Sequence, residues 1–262
     1  MTTTQEALGI RSYSTLSGGE ETRLVAAVQG LERALPGLRL EWTVSDEHQL
    51  VHLPQRDAWL LQAMKDRRIP FVCNNDENHP ATLSALEISA NSAPGGQPLL
   101  DVHADLPLTP EVIAASAQMV EVVAEATQAL WGEATPFRAA VDIARQTSRT
   151  LAGPPSPPRG LPALKLPAEI RSPEIPHRLG WLNYWSATAA RAIGFPDPDR
   201  DAELLSLSRS TATGGWIVRL TEAPLDFENP GHLEVVLRAY ERFPEIGGHS
   251  RPSRSSKRSP PP

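Results

Sequence analysis

The first sustained pattern begins at Glu20, where Leu24, Val25, Val28, Leu31 and Leu35 recur on one helical stripe with charges opposite. Pro36-Gly37 ends that helix. Leu38, Leu40, Trp42 and Val44 then alternate with Arg39, Glu41 and Thr43, which predicts a strand with one buried and one wet face. Leu50–Leu53 is a second short extended run, and Pro54 opens a helix at its tolerated first turn. That helix has Trp59, Leu60, Ala63 and Met64 as its apolar face. Ile69–Cys73 is an apolar run of strand length, in which Pro70 favours an edge or a strand start. Thr82–Ile88 is a candidate partner for it, and Leu99–Val102 returns to an extended pattern after a turn-rich loop at 91–97.

The longest predicted helix runs from about Pro110 to Trp131, with Thr109 as N-cap and Pro110 at the first helical position. Its wide apolar surface suits packing on a sheet. Phe137–Ile143 (FRAAVDI) fits helix and strand equally by period. Eight prolines fall between 153 and 176, so no long helix forms there; Leu161, Leu164, Leu166 and Ile170 predict an extended strap that packs. Trp216, Val218 and Leu220 alternate in a late strand, and Asn229-Pro230 caps a last helix through Leu233, Val236, Leu237 and Tyr240. At the other end, residues 6–16 have strand character, but Gly9 and the serines weaken it.

These elements sum to an α+β domain over residues 20–248, with a mixed or antiparallel sheet of about five or six strands. Helices pack on one face of it, and the proline-rich strap 153–176 wraps the outside. Residues 1–19 are read as a weak strand or flexible segment, and 249–262 as a disordered basic tail. Two lobes divided near residue 153 are the alternative.

Composition narrows the function classes. The hydrophobic fraction, 40%, suffices for a core, and no window approaches the ~18 consecutive apolar residues of a spanning helix. The N-terminus MTTTQEALGI lacks the pattern of a secretory signal. Cys73 is the only cysteine, which excludes an internal disulfide and a four-cysteine zinc site. The expectation is a cytoplasmic protein. Arg251, Arg254, Lys257 and Arg258 put four positive charges in the tail, leaving residues 1–250 at −10 against −6 for the whole chain. An acidic body disfavours nucleic acid and anionic membrane and suits a basic protein partner.

Catalytic motifs are missing. SGGEE and APGGQ lack the lysine and setting of a phosphate-binding loop, and neither Gly-x-Ser-x-Gly nor His-Glu-x-x-His occurs. The expectation is therefore a protein without cofactor or catalytic set. One constellation supports an alternative, a metal-dependent hydrolase. Asp101, His103 and Asp105 alternate in DVHAD, so a strand puts them on one face. Cys73, Asp76 and His79 end another strand-like run, and six ligands for zinc, manganese or iron converge if the runs are neighbours. Cys73 is either a nucleophile with His79 or His103 as base, or a small core residue. His48, His52, His177 and His232 are read as surface or capping residues. Trp181, Tyr184 and Trp185 are either core or the anchor of a partner, as a regulatory scaffold would require. Asp197, Asp199, Asp201 and Glu203 around Arg200 fit a helix start or a face for a basic partner.

Longer runs carry a resemblance. LPQRDAW (53–59), GGQPLLDVHADLPL (95–108), LAGPPSPPRGLPALKLPAEIRSPEIPH (151–177), GWLNYWS (180–186) and TGGWIVRLTEAPLDFENPGHL (213–233) resemble the bacterial family catalogued as domain of unknown function 5953, over roughly residues 23–248. More distantly, GWLNYWS followed by GGWIVRLTEAPLDFENPGHL is similar to the C-terminal pattern of the immunity protein 52 family, whose members are thought to neutralise toxins by binding them. The chain departs from the first family in its polar N-terminal GIRSYSTL and in the basic tail beyond Gly248. Neither resemblance brings a catalytic residue set. What it implies is a non-enzymatic, immunity-type protein that occludes a cognate toxin, with a basic toxin domain as partner.

Overall fold

Alternation along Ala7–Thr15 organises the molecule. Leu8, Ile10, Ser12 and Ser14 are buried towards one side of this strand, β1, while Gly9, Arg11 and Tyr13 point to the other. The computed structural model describes residues 6–147 and 157–248. In it β1 lies in the interior of the sheet, paired antiparallel along its whole length with β6 (Leu99–Pro107) and, on its other side, with β7 (Trp131–Pro136). The N-terminal segment expected to be weak is thus a nine-residue central strand. Ser12 is satisfied there, its Oγ 3.1 Å from Thr127 Oγ1 on the covering helix, and the backbone pairs on both sides.

Among the described residues ten strands form one sheet, not five or six. Outward from β6 come β5 (Thr82–Ile88), β4 (Phe71–Cys73), β2 (Trp42–Val44) and, at the edge, β3 (Leu50–His52). Beyond β7 come β8 (Leu182–Trp185), β10 (Trp216–Arg219) and the edge strand β9 (Arg209–Ser210). Every recorded pairing is antiparallel. The count exceeds the expectation because β1 is polar, β7 starts where the helical pattern of 110–131 ends, and β8 and β9, four and two residues long, are too short to show a period. Trp131, expected at the end of a helix, instead opens β7: Gln128 ends the helix in the left-handed region (φ 54°) and redirects the chain.

Helices cover both faces rather than one. On the first face lie α1 (Glu20–Ala34), α2 (Arg56–Lys65) and α3 (Pro110–Thr127). Thr109 caps α3 as its sequence predicts, its side chain accepting from Val112 N–H. Gly30 of α1 lets α3 approach so closely that an added Cβ would stand 3.3 Å from Val122 Cβ. The ambiguous FRAAVDI run is α4 (Phe137–Ala144), which packs against β1 and β7 on the second face. After β8 come two short helices, α5 (Ala187–Ala192) and α6 (Ala202–Ser206), and after β10 comes α7 (Pro230–Arg242). α7 covers β8 from the second face: Phe243, just past its end, meets Trp185 edge-on with ring centroids 5.2 Å apart. Between α4 and α7, residues 157–176 run as an extended strap with Leu161, Leu164 and Ile170 buried. Pro173 O accepts from Trp131 Nε1, and Leu164 N–H donates to Gln146 O. The tail expected to be disordered, 249–262, lies outside the described residues. Among those described, no helix is long and apolar enough to cross a membrane.

Candidate functional site

The second face carries the chemistry that the first face excludes. Register places Asp101, His103 and Asp105 of β6 opposite Tyr13, Arg11 and Gly9 of β1, which in turn face Trp131, Glu133 and Thr135 of β7. A strand with nothing but apolar residues would bury this face; here alternate positions are charged, so the face is stable only if the charges pair. They do. Arg11 Nη1 is 3.3 Å from Asp101 Oδ2, and Arg178, arriving from the strap, pairs with Glu133. Arg178 Nη2 also donates to Tyr13 Oη at 3.4 Å, Thr135 Oγ1 donates to Glu133 Oε2 at 3.4 Å, and His103 Nε2 lies 3.2 Å from Asp105 Oδ1.

Environment sets the protonation of these groups. Burial alone would lower the Arg178 pKa, but Glu133 and Tyr13 outweigh it and hold the guanidinium protonated. Burial pushes the Asp101 carboxyl up, against the pull of Arg11, His103 and Arg178, and its Oδ1 has no partner among the described residues. Burial likewise raises Tyr13. Between this charged floor and α4 lies a cleft of about 290 Å³, floored by Gly9, Arg11, His103 and Asp105 and walled by Phe137, Ala140 and Val141. Gly9 keeps the floor open: a Cβ there would stand 3.4 Å from Asp105 Oδ1.

The six residues considered as metal ligands do not come together. Asp76 and His79 face each other at 3.5 Å in an exposed loop, His103 pairs with Asp105, and Asp101 pairs with Arg11. Cys73 sits on β4, separated from β6 by the whole of β5, roughly 10 Å at ordinary strand spacing. Among the described residues no three His, Cys, Asp or Glu side chains are placed to hold a metal ion. Cys73 is buried and its thiol pKa is raised by that burial, which suits a small core residue rather than a nucleophile.

The aromatic cluster is core. Trp181 and Trp185 are fully buried and Tyr184 nearly so, hence none offers a surface to a partner. Trp181 Nε1 donates to Thr221 O at 2.8 Å, and Trp185 packs edge-on with Phe195 at 5.1 Å. The acidic group near Arg200 has a structural role too: buried Asp201 clamps Arg242 of α7 at 2.6 and 2.9 Å. His177 is likewise buried, its Nε2 3.0 Å from Lys165 O, whereas His232 Nδ1 accepts from Asp226 N–H and His52 is exposed beside Trp42.

What sequence reading missed is the outer half of the second face. Register aligns Leu50 with Val44, His52 and Cys73 with Trp42, Phe71 with Ser84, and Leu86 with Asp101, all on the same side as the charged cleft. Val44, Leu50 and Leu86 are 44%, 46% and 49% exposed, and Trp42 and Phe71 are half-buried between them. A signal was available. From Ile69 to Phe137 the chain has no lysine or arginine and nine carboxylates. Nor does 41–53 hold any lysine or arginine.

Fold and site together define an α+β protein whose ten-stranded antiparallel sheet is half covered on one face, with a paired-charge cleft at the boundary. The chain belongs to the family described as Domain of unknown function (DUF5953), whose model matches residues 19–251. Among solved structures it is similar to the Pseudomonas aeruginosa T6SS protein PA0821, at 13% identity and a TM-score of 0.55, over 92% of this chain and 73% of that one. At that identity the likeness speaks for the fold. No curated protein matches the chain.

Proposed function

We propose that this chain is a non-enzymatic, immunity-type protein that binds and neutralises a cognate toxin in the cytoplasm. The observation that carries the reading is the uncovered half of the second face, where Val44, Leu50 and Leu86 stand exposed beside Trp42 and Phe71. Contiguous apolar surface rimmed by polar groups is a mark of protein docking. The similarity of GWLNYWS and GGWIVRLTEAPLDFENPGHL to the immunity protein 52 pattern supports the toxin-binding role. A fold shared with a protein named as T6SS supports looking for the partner in that setting. The cleft favours binding over chemistry, because each of its charged side chains is held by another and none adjoins the Cys73 thiol.

The test is co-expression with the toxic proteins encoded beside its gene. The expected result is rescue of growth from one of them and a stoichiometric complex on co-purification. Failure to rescue from any, with the chain expressed and folded, overturns the reading.

A further inference from the structure

We infer that the second face of β2–β6 is the docking surface and that its occupant is a cationic protein surface with an apolar centre. The face is marked by what it lacks. The strands β2 to β6 and their connections, apart from the segment through α2, contain no lysine or arginine. An ordinary wet sheet face mixes both signs, and lysines guard exposed edges against unwanted pairing. Here Glu41, Asp46 and Glu47 border β2 and β3, Asp76 and Glu77 border β4, and Asp105 ends the row on β6. All but Asp105 are exposed, and the Asp105 side chain is itself 47% exposed.

The neighbouring cations are engaged elsewhere. Arg11 leans on Asp101, and Arg68 pairs with Asp66 at 3.2 Å and lies over the Trp59 ring of α2. Arg67 lies at the corner near Leu86. The patch therefore combines a negative border with an apolar middle of Trp42, Val44, Leu50, Phe71 and Leu86. Such a surface repels acidic partners and nucleic acid. It attracts a lysine- or arginine-bordered apolar patch, with the border charges speeding encounter and the apolar middle slowing release. The cleft continues this surface: among its charged side chains Asp105 is the carboxylate left without an arginine, beside the α4 wall of Phe137 and Val141 against which an aliphatic stem packs.

The inference rests on the binding reading above for the identity of its partner, and its test runs without that identity. The full chain is titrated with a short amphipathic helical peptide of leucine and lysine, and with its leucine–glutamate counterpart, while amide hydrogen exchange is followed. The expected result is slowed exchange at 42–44, 71–73 and 82–86 with the lysine peptide and no binding of the glutamate peptide. Leu86→Ser and Asp105→Asn, both at exposed side chains and the second keeping a polar group beside His103, are expected to keep the wild-type melting temperature and to weaken binding about tenfold each. Protection on another surface, equal binding of both peptides, or full affinity in both variants overturns the inference. Co-expression separates it from the functional reading. Rescue that survives both substitutions leaves an immunity role intact and removes this surface; a wild-type chain that rescues nothing, yet binds the lysine peptide here, does the reverse.

Discussion

Arg178 pairs with Glu133 across 45 residues of sequence, and the two close the charged floor of the second face beneath the strap. Glu133 is almost fully enclosed, and Arg178 also donates to Tyr13 Oη. Removing one member leaves the other charged and unpaired in a dry place. Arg178→Met is therefore expected to destabilise the fold by about 3–5 kcal/mol. The double variant Arg178→Met/Glu133→Gln is expected to recover a large part of that loss. Urea melts of the three chains check this; equal stability of single and double variants would show that the pair is not coupled.

His177 gives a pH signature. Burial, assisted by Arg178, lowers its pKa from 6.5 to about 4, so the ring is neutral in the folded chain at neutral pH. Below pH 6.5 the unfolded chain takes up a proton that the folded chain refuses until about pH 4. Stability is thus full above 6.5 and falls as pH drops through this window, by about 3 kcal/mol in total. His177→Gln is expected to be less stable at pH 7 but to lose less between pH 7 and pH 4.5. Parallel slopes for both chains would remove His177 as the titrating group.

Trp185 separates core from contact surface. It is fully buried among Phe195 and Phe243, so Trp185→Ala opens a cavity and is expected to cost about 3–5 kcal/mol. A denaturation midpoint unchanged from wild type would contradict this placement.

Gly132 holds β7 against β1. A Cβ there would stand 2.6 Å from the Arg11 carbonyl oxygen, a backbone atom that moves only if the strand pair moves. Gly132→Ala is expected to lower stability by at least about 1–3 kcal/mol and to speed amide exchange in β1. Exchange in β1 at the wild-type rate would show that the strands absorb the methyl group.

How far the site was legible depends on the length of its elements. Thr109-Pro110 and Asn229-Pro230 announce α3 and α7 because caps are local: each satisfies a helix-end donor from within a few residues. Asp101, His103 and Asp105 do share a face, since side chains alternate on any strand. Their partners were not legible. Arg11 reaches Asp101 across 90 residues and Arg178 meets Glu133 across 45, and no local pattern records which strand lies beside which. β5 lying between β4 and β6 is what kept Cys73 from His103.

The sequence by itself determined α1, α2, α3 and α7 with the caps of the last two, the strands β2 to β6 and β10 in outline, the packed strap and the acidic, cysteine-poor character of the body. These follow from periodicity, capping and composition, which act over a few residues or over the whole chain at once. Tertiary structure alone decided that GIRSYSTL is the interior strand β1, that Trp181 and Trp185 are core, and that the second face of β2–β5 is left open. The reason is the same in each case: a strand's partners on either side, and what packs on its faces, are set by long-range hydrogen bonding and burial. A polar strand such as β1 is stable where its neighbours satisfy it, whatever its own pattern suggests.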